Sequence, residues 1–229
     1  MLARELLNTL KEDALRKKLI THPFFTKIGQ ADLNRGQVGT FLGQWWHPLH
    51  YFPVFLSRLI SVTPPIGVKT AIGKILYQEL GEGDPRRAHE VVYIETMTPL
   101  GFAVSEISAA APLPATARLV AAYSEASKDL LAGLGFLYGT EVADLAMVSG
   151  IGTAVRRVTG AKRLDWVDIH VQQEPEHVVR ANDTLTFELP DVEKMAVLSG
   201  AQAMWQSWIA FFDELEREVF APQGAKVVS

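Results

Sequence analysis

The sequence predicts an all-α protein, a single-domain bundle of seven or eight helices that extends over residues 1–229. Apolar residues recur mainly with the helical period, and no segment shows the strict alternation that is typical of a strand. Hydrophobic residues make up 48% of the chain, which is enough to bury a sizeable core. No linker is long or polar enough to divide the chain, so we expect one domain.

Clusters of proline and glycine separate the predicted helices from one another. Eight segments have the helical period, namely 3–19, 33–47, 49–61, 66–81, 86–97, 115–157, 166–183 and 192–219. Asp32, Asp165 and Asp191 stand at the starts of three of these segments, where an aspartate side chain can cap a helix. Pro48 and Pro53 are expected to break the helix in the aromatic segment that contains them, because proline lacks the backbone donor.

The composition excludes several kinds of site. The chain has no cysteine, which excludes disulfides, thiolate metal sites, iron–sulfur clusters and cysteine nucleophiles. The net charge is −4, so we expect no nucleic-acid partner and no binding to an anionic membrane surface. The N-terminal segment is charged and amphipathic, and no apolar run approaches the ~20 residues of a membrane span. We therefore expect a cytoplasmic protein.

His170, Glu174 and His177 lie at positions i, i+4 and i+7 of one predicted helix. At about 100° per residue, the three side chains fall within about 60° of one another on one helix face. Imidazole and carboxylate form the ligand combination that suits iron at an open, oxygen-reactive site. The alternative is a solvated helix face that carries two histidines by chance.

A second pair of candidate ligands is Glu82 and His89, which are seven residues apart. They share one face if their helix is nearly continuous. Glu79 lies one turn earlier and competes with Glu82 for the same role. The alternatives are a solvated helix end for Glu82 and a hydrogen-bonded core histidine for His89.

Glu141 is the third candidate, because it lies within a stripe of apolar residues formed by Leu134, Tyr138, Leu145 and Val148. A carboxylate that faces the core needs a partner or a metal ion, since the bare ion is costly to desolvate. Asp144 lies one turn further on and is the rival carboxylate. An ion pair with Arg156 or Arg157 is the alternative to a metal.

The three segments together supply three carboxylates and three histidines, in the order Glu82-x6-His89, Glu141 and His170-x3-Glu174-x2-His177. This order resembles that of the haem-oxygenase-like diiron oxidases, which belong to the superfamily of TenA-type thiaminases and PQQ synthase-like proteins. The resemblance extends from about Gln44 to His177. It implies the haem-oxygenase-like fold and two labile Fe(II) ions, held at the catalytic site by these six residues. The relatives usually carry aspartate where Glu174 stands, which leaves the mode of ligation there open.

The resemblance also implies the activity of an O2-dependent non-haem diiron oxidoreductase. O2 is the expected co-substrate, activated at a diferrous site. The expected reaction is oxidative C–C cleavage, decarboxylation, desaturation or N-oxygenation of a small amino or fatty acid. No flavin or nicotinamide motif is present, so any external electrons must come from a separate reductase or donor. The alternative function is a non-catalytic helical protein that binds a hydrophobic ligand or a partner protein.

Related architectures fit the sequence less well. A ferritin-like diiron bundle needs two Glu-x-x-His motifs, and the sequence supplies one, from Glu174 to His177. TenA-type thiaminases use a cysteine nucleophile, which is absent here. His47 and His50 remain second-choice ligands, in an aromatic segment that predicts either a pocket wall or core packing. The last predicted helix, over residues 192–219, carries small residues beside large ones. This pattern indicates either packing within the bundle or a homodimer interface.

Overall fold

The computed structural model describes residues 3–185 and 189–221, and these residues form eleven α-helices and no strand. The helices are α1 (Ala3–Glu12), α2 (Ala14–Ile20), α3 (Pro23–Gln30), α4 (Arg35–Val62), α5 (Ile66–Glu79), α6 (His89–Met97), α7 (Val104–Ser108), α8 (Pro114–Ala126), α9 (Leu130–Thr159), α10 (Asp165–Asp183) and α11 (Asp191–Val219). The prediction of an all-α fold is confirmed. The number of helices exceeds the predicted seven or eight.

Local capping explains why some predicted helices are divided in two. Asp13 accepts a hydrogen bond from the backbone N–H of Leu15 at 2.8 Å and begins α2, so the predicted helix over 3–19 is interrupted. Asp129 accepts one from the N–H of Ala132 at 2.9 Å and begins α9, so the predicted helix over 115–157 is two helices. In each case the side chain satisfies a backbone donor that no helical carbonyl can reach.

The three predicted caps are wrong in detail. Asn34, two residues after Asp32, caps α4 in a reciprocal arrangement with Gln37. Asp165 and Asp191 are the first residues of α10 and α11 and do not cap them. Acidic residues at these positions still favour the helix, because they lie in the first turn, near its positive end.

The expectation that α4 breaks at its prolines is also wrong. The helix continues through Pro48 and Pro53 and is 28 residues long. Apolar residues on both sides of the prolines, including Leu49, Phe55 and Leu56, are buried in the core. This burial outweighs the hydrogen bonds that the prolines remove.

The long helix α9 lies at the centre of the bundle and packs along α11 and against α10, α4 and α8. By length and composition alone, Leu130–Thr159 is apolar enough to cross a membrane, which we did not expect from the sequence. However, 67% of its apolar window is buried inside the protein, as in the core helix of a soluble globular protein. The cytoplasmic location stays a prediction.

Glycines allow α9 and α11 to approach each other closely. A Cβ atom on Gly135 would lie 2.2 Å from the carbonyl oxygen of Val197, and one on Gly200 would lie 2.7 Å from that of Ala132. Both contacts are with backbone atoms, which cannot turn aside as a flexible side chain can. The close approach sets the position of α9, which carries part of the candidate site.

We expect Gly135→Ala to lower the free energy of unfolding by about 3 kcal/mol, because the added methyl group forces the two helices apart. Gly73→Ala is the matched control, since nothing lies within 4 Å of an added Cβ at that position in α5. The control should raise stability by about 0.5–1 kcal/mol through the loss of glycine's freedom in the unfolded chain. Urea unfolding measures both. Equal stability of the two variants would contradict the close packing of α9 against α11.

Candidate metal centre

Helices α5, α6, α9 and α10 bring acidic and imidazole side chains together in the middle of the bundle. A cavity of ≈ 40 Å³ is lined by Glu79, Glu141, Asp144, His170 and His177, together with aromatic and aliphatic side chains from α4, α8, α10 and α11. A cavity of this size has room for a few water-sized groups. His89 lies directly beside this group, with its ring centroid 4.7 Å from that of His170.

His89 and Glu79 form a buried ion pair. His89 is the first residue of α6 and Glu79 is the last residue of α5, and His89 Nδ1 lies 3.0 Å from Glu79 Oε2. The other ring nitrogen, Nε2, lies 3.0 Å from the side-chain oxygen of Gln173. Burial alone would raise the pKa of Glu79, but the charge of His89 beside it lowers this pKa to about 2. Glu79 is therefore a carboxylate at neutral pH.

His177 and Glu141 form a second buried ion pair, between α10 and α9. His177 Nδ1 lies 3.2 Å from Glu141 Oε2. Burial lowers the pKa of His177, but the charge of Glu141 and the hydrogen bond to it outweigh burial and raise this pKa to about 9. The remaining atoms of the pair, Glu141 Oε1 and His177 Nε2, are buried and have no hydrogen-bond partner among the described residues.

His170 has the protonation state of a ready metal ligand. Its Nδ1 lies 2.8 Å from the carbonyl oxygen of Trp166, and since a carbonyl only accepts, Nδ1 carries the proton. Burial and the neighbouring charge of His89 lower the pKa of His170 to about 3, so the ring is neutral at pH 7. Nε2 then carries the free lone pair, and a hydrogen bond from the opposite nitrogen is the usual support of a metal-binding histidine.

Asp144, the rival carboxylate of the sequence analysis, also lines the cavity. Burial raises its pKa to about 7, and the charges of Glu141 and Glu79 add to this effect. Asp144 lies one turn beyond Glu141 on α9, so both carboxyl groups point to the same side of this helix. Arg156 lies 3.7 Å from Asp168, and Arg157 donates to the carbonyl oxygen of Ala31 at 2.7 Å, so the described structure does not show the alternative ion pair of Glu141 with either arginine.

Glu82 does not lie with the other candidate ligands. The condition under which Glu82 and His89 would share one helix face is not met, because α5 ends at Glu79 and α6 begins at His89. Gly81, Glu82 and Gly83 all have positive φ angles, of 83°, 57° and 92°, which reverse the chain. The Glu82 carboxylate is partly exposed and lies 3.2 Å from the guanidinium of Arg87. The turn thus separates Glu82 from the cavity.

Glycines on both sides of Glu82 were the sequence signal for this turn. Two glycines this close together indicate the end of a helix. Glu79 is then the last residue of α5 that can face the core. Glu82 instead lines a second, polar cavity of ≈ 300 Å³, on the side of His89 that faces Gln173. Glu79, weighed in the sequence analysis as the competitor of Glu82, is the carboxylate that contacts His89.

The remaining sequence candidates lie in different places. Glu174 lies within α10, but its side chain falls outside the described part of the structure. His50 is exposed and lies 2.6 Å from Glu90, and His47 contacts the carbonyl oxygen of Ala110. Neither lines the cavity, so the structure offers no support for these two as ligands.

Aromatic residues form much of the rest of the cavity wall. Trp45 and Phe52 from the aromatic segment of α4 line the cavity, which matches the pocket-wall alternative for these two residues. Trp166, Tyr123 and Trp208 also line it, and the sequence analysis did not identify them as site residues. They come from helices α10, α8 and α11, and a single sequence does not reveal which residues of distant helices share one wall.

The types of donor atom in this group, carboxylate oxygen and imidazole nitrogen, fit iron. No three acidic or histidine side chains of residues 3–185 and 189–221 surround a common point as ligands surround a bound ion. Instead, two imidazoles contact two carboxylates directly. Even so, Glu141 Oε1 and His177 Nε2 are buried without partners, which costs free energy that a metal ion would recover. Carboxylate oxygens and imidazole nitrogens are the donors that iron takes at open sites.

We expect Glu79→Gln to lower the iron content of the protein and to weaken Fe(II) binding by about 10- to 100-fold, because the amide removes a buried charge beside His89. Glu82→Gln is the matched control, with the same chemical change three residues away, and should have little effect. Metal analysis after anaerobic loading and desalting measures both. If Glu82→Gln loses iron and Glu79→Gln does not, the original sequence prediction holds and the assignment of Glu79 fails.

Comparison with known proteins adds information on the family. A family model described as iron-containing redox enzymes matches residues 39–209, which is most of the chain and contains all the candidate ligands. No curated protein sequence matches the chain significantly.

Solved structures with the same fold cover nearly the whole chain. A CADD-like protein of unknown function from Nostoc punctiforme has a TM-score of 0.79 at 18% identity, covering 94% of this chain and 96% of its own. A domain of unknown function with a heme oxygenase-like fold from Shewanella denitrificans has a TM-score of 0.76 at 14% identity, covering 94% and 92%. A TenA homologue from Pseudomonas syringae has a TM-score of 0.70 at 12% identity, covering 93% and 92%. The protein therefore has the haem-oxygenase-like fold.

Proposed function

Because this chain belongs to the family of iron-containing redox enzymes, we propose that it is a non-haem diiron oxidase that uses O2 to oxidise a small organic substrate. One observation carries the proposal. The buried pair of Glu141 and His177 has one unpartnered atom on each side chain, and both residues line a cavity with neutral His170. Family membership favours a redox enzyme over a non-catalytic binding protein.

The residues proposed to hold two Fe(II) ions are Glu79, His89, Glu141, His170 and His177, with Glu174 as the ligand predicted from the sequence. This set replaces Glu82 by Glu79. The chemistry that two bound Fe(II) ions would supply at this site is the reduction of O2.

The chain's own groups have defined tasks at this site. The hydrogen bond from His170 Nδ1 to the carbonyl oxygen of Trp166 holds the imidazole ring in one orientation. Without bound metal, burial raises the pKa of Asp144 to about 7, so its carboxyl group can carry a proton beside the proposed ligands, and bound Fe(II) would lower this pKa. Aromatic and apolar side chains on the remaining wall exclude water, which protects a reactive site from side reactions.

We propose an amino or fatty acid as the substrate, oxidised by C–C cleavage, decarboxylation, desaturation or N-oxygenation. Any external electrons would come from a separate reductase or a small reductant, because the chain carries no motif for a flavin or nicotinamide. A homodimer is proposed as the assembled form.

The test is O2 uptake by the Fe(II)-loaded protein in the presence of a panel of amino and fatty acids. We expect at least one panel member to raise the rate of O2 uptake above that of the same concentration of free Fe(II). Product analysis by mass spectrometry then identifies the reaction. If iron-loaded protein never consumes O2 faster than free Fe(II) with any panel member, the oxidase proposal fails.

A further inference from the structure

Four of the five tryptophans are buried. The indole N–H groups of two of them have a hydrogen-bond acceptor, and those of the other two have none among the described residues. Trp205 Nε1 donates to the carbonyl oxygen of Gly139 at 3.0 Å, and Trp208 Nε1 donates to the hydroxyl of Tyr123 at 3.1 Å. Trp45 Nε1 and Trp166 Nε1 are also buried but have no acceptor among the described residues. These two side chains are 4% and 1% exposed. A buried N–H without a partner is uncommon, because tryptophan in a core usually finds an acceptor.

The two unpartnered donors belong to the same cavity. Trp45 on α4 and Trp166 on α10 both line it, and their ring centroids are 6.1 Å apart. The ring of Trp166 is also 4.3 Å from the ring of His170, so this indole lies beside a proposed iron ligand. Two helices that are distant in sequence thus bring two indole rings, each with an unpartnered N–H group, to the wall of one cavity.

The other polar groups on this wall are already engaged. Thr140 and Tyr123 are hydrogen-bonded to each other at 2.6 Å, and Tyr123 also accepts from Trp208. Lysine and arginine are absent from the cavity lining of the described residues. Outside the group of histidines and carboxylates, Trp45 and Trp166 are therefore the described lining side chains with a donor still to satisfy.

We propose that the indole N–H groups of Trp45 and Trp166 donate hydrogen bonds to an sp² oxygen of the substrate. The part of the substrate that enters this cavity of ≈ 40 Å³ is then compact and mainly apolar and carries a carbonyl or carboxylate oxygen. The inference rests on the proposed function, because it takes this cavity as the substrate site. Pro48, Leu49 and Phe52 of α4 line the same cavity and suit the apolar part of such a molecule.

Tryptophan indole signals in ¹H–¹⁵N spectra test this directly. The full-length protein is labelled with ¹⁵N-tryptophan, kept metal-free or loaded with diamagnetic Zn(II), and its indole signals are assigned from single Trp→Phe variants. The probes are 2-butanone, propanoate and 2-methyl-1-butene, in which a CH₂ group replaces the ketone oxygen. A hydrogen bond to oxygen moves an indole proton signal downfield.

We expect 2-butanone or propanoate to move the signals of Trp45 and Trp166 downfield, while those of Trp205 and Trp208 stay nearly unchanged. A response to the ketone identifies a neutral carbonyl as the acceptor, and a response to propanoate alone identifies a carboxylate. The alkene should produce no downfield shift. If neither oxygen-bearing probe moves the two signals, or if the alkene moves them equally, the inference is wrong.

Binding of the probes to single Trp→Phe variants is a second test of the inference. Trp45→Phe and Trp166→Phe should each weaken binding of the oxygen-bearing probe by about 3- to 10-fold through the lost hydrogen bond. Trp208→Phe is the matched control, because it makes the same change in size at the cavity but removes a donor that is already engaged. Equal weakening by all three variants would show that ring size alone matters and would overturn the inference.

The outcome is separable from that of the proposed function. Iron content and O2 uptake are measured on separate Fe(II)-loaded samples of the same preparations. If the indole signals respond to the probes but the protein shows no O2 chemistry, only the oxidase proposal fails. Indole signals that ignore every probe in a protein that binds iron and consumes O2 would remove this inference alone.

Discussion

Replacing Glu141 with glutamine should reduce the iron content from the proposed two ions per chain to one or fewer. The carboxylate is almost completely buried, pairs with His177 at 3.2 Å and keeps one oxygen without a partner. Glutamine preserves the shape but removes the negative charge that offsets a divalent ion in a buried site. Metal analysis after anaerobic loading and desalting measures the effect, and circular dichroism confirms that the variant is folded.

Glu125→Gln is the control for this substitution. Glu125 is exposed on α8 and contacts Lys128 at the surface, so its loss should leave both irons in place. A folded Glu141→Gln variant that retains two irons per chain would remove Glu141 from the ligand set.

Replacing His170 with alanine should lower the rate of O2 uptake by the iron-loaded protein at least ~100-fold. The structure holds His170 neutral, with its pKa lowered to about 3 by burial and by His89. Its Nδ1–H is committed to Trp166, which leaves Nε2 free to bind metal. Alanine removes this nitrogen, so an iron bound there would lose its reactivity or be lost altogether.

His50→Ala is the matched control, because His50 is exposed and paired with Glu90 at the surface. Its rate of O2 uptake should equal that of the unmodified protein within a factor of about two. If His170→Ala retains iron and consumes O2 at the original rate, His170 has no part in the reaction.

Helical periodicity made the fold predictable. Helices α10 and α11 each bury one face, and this pattern is visible in a single sequence without knowledge of the partner helices. The central helix α9 is instead buried on all sides over residues 133–141. The division into helices was less predictable. Asp13 and Asp129 start new helices through single side chains, whereas α4 continues through Pro48 and Pro53 because burial outweighs the lost hydrogen bonds. Local helix propensity and tertiary packing favour different helix boundaries at these positions, and the sequence alone does not show which of the two prevails.

Four of the six predicted ligands lie together in the structure, namely His89, Glu141, His170 and His177. Glu141 and the α10 histidines were found because helical spacing determines which residues share a face. Glu82 was predicted instead of Glu79 because the spacing Glu82-x6-His89 matches the order of the family that the sequence resembles. The positive φ angles of residues 81–83 instead place Glu82 outside the cavity that Glu79 lines. The roles of all of these residues as ligands stay predictions, and Glu174 lies outside what the structure describes at the side-chain level.

Anaerobic titration of the purified protein with Fe(II) tests the central claim most directly. The endpoint of the titration, followed by metal analysis after removal of free iron, gives the number of ions bound per chain. Three histidines and three or more carboxylates predict two Fe(II) ions per chain. Binding of less than one Fe(II) ion per chain in folded protein would contradict the account, because the proposed redox function depends on that metal.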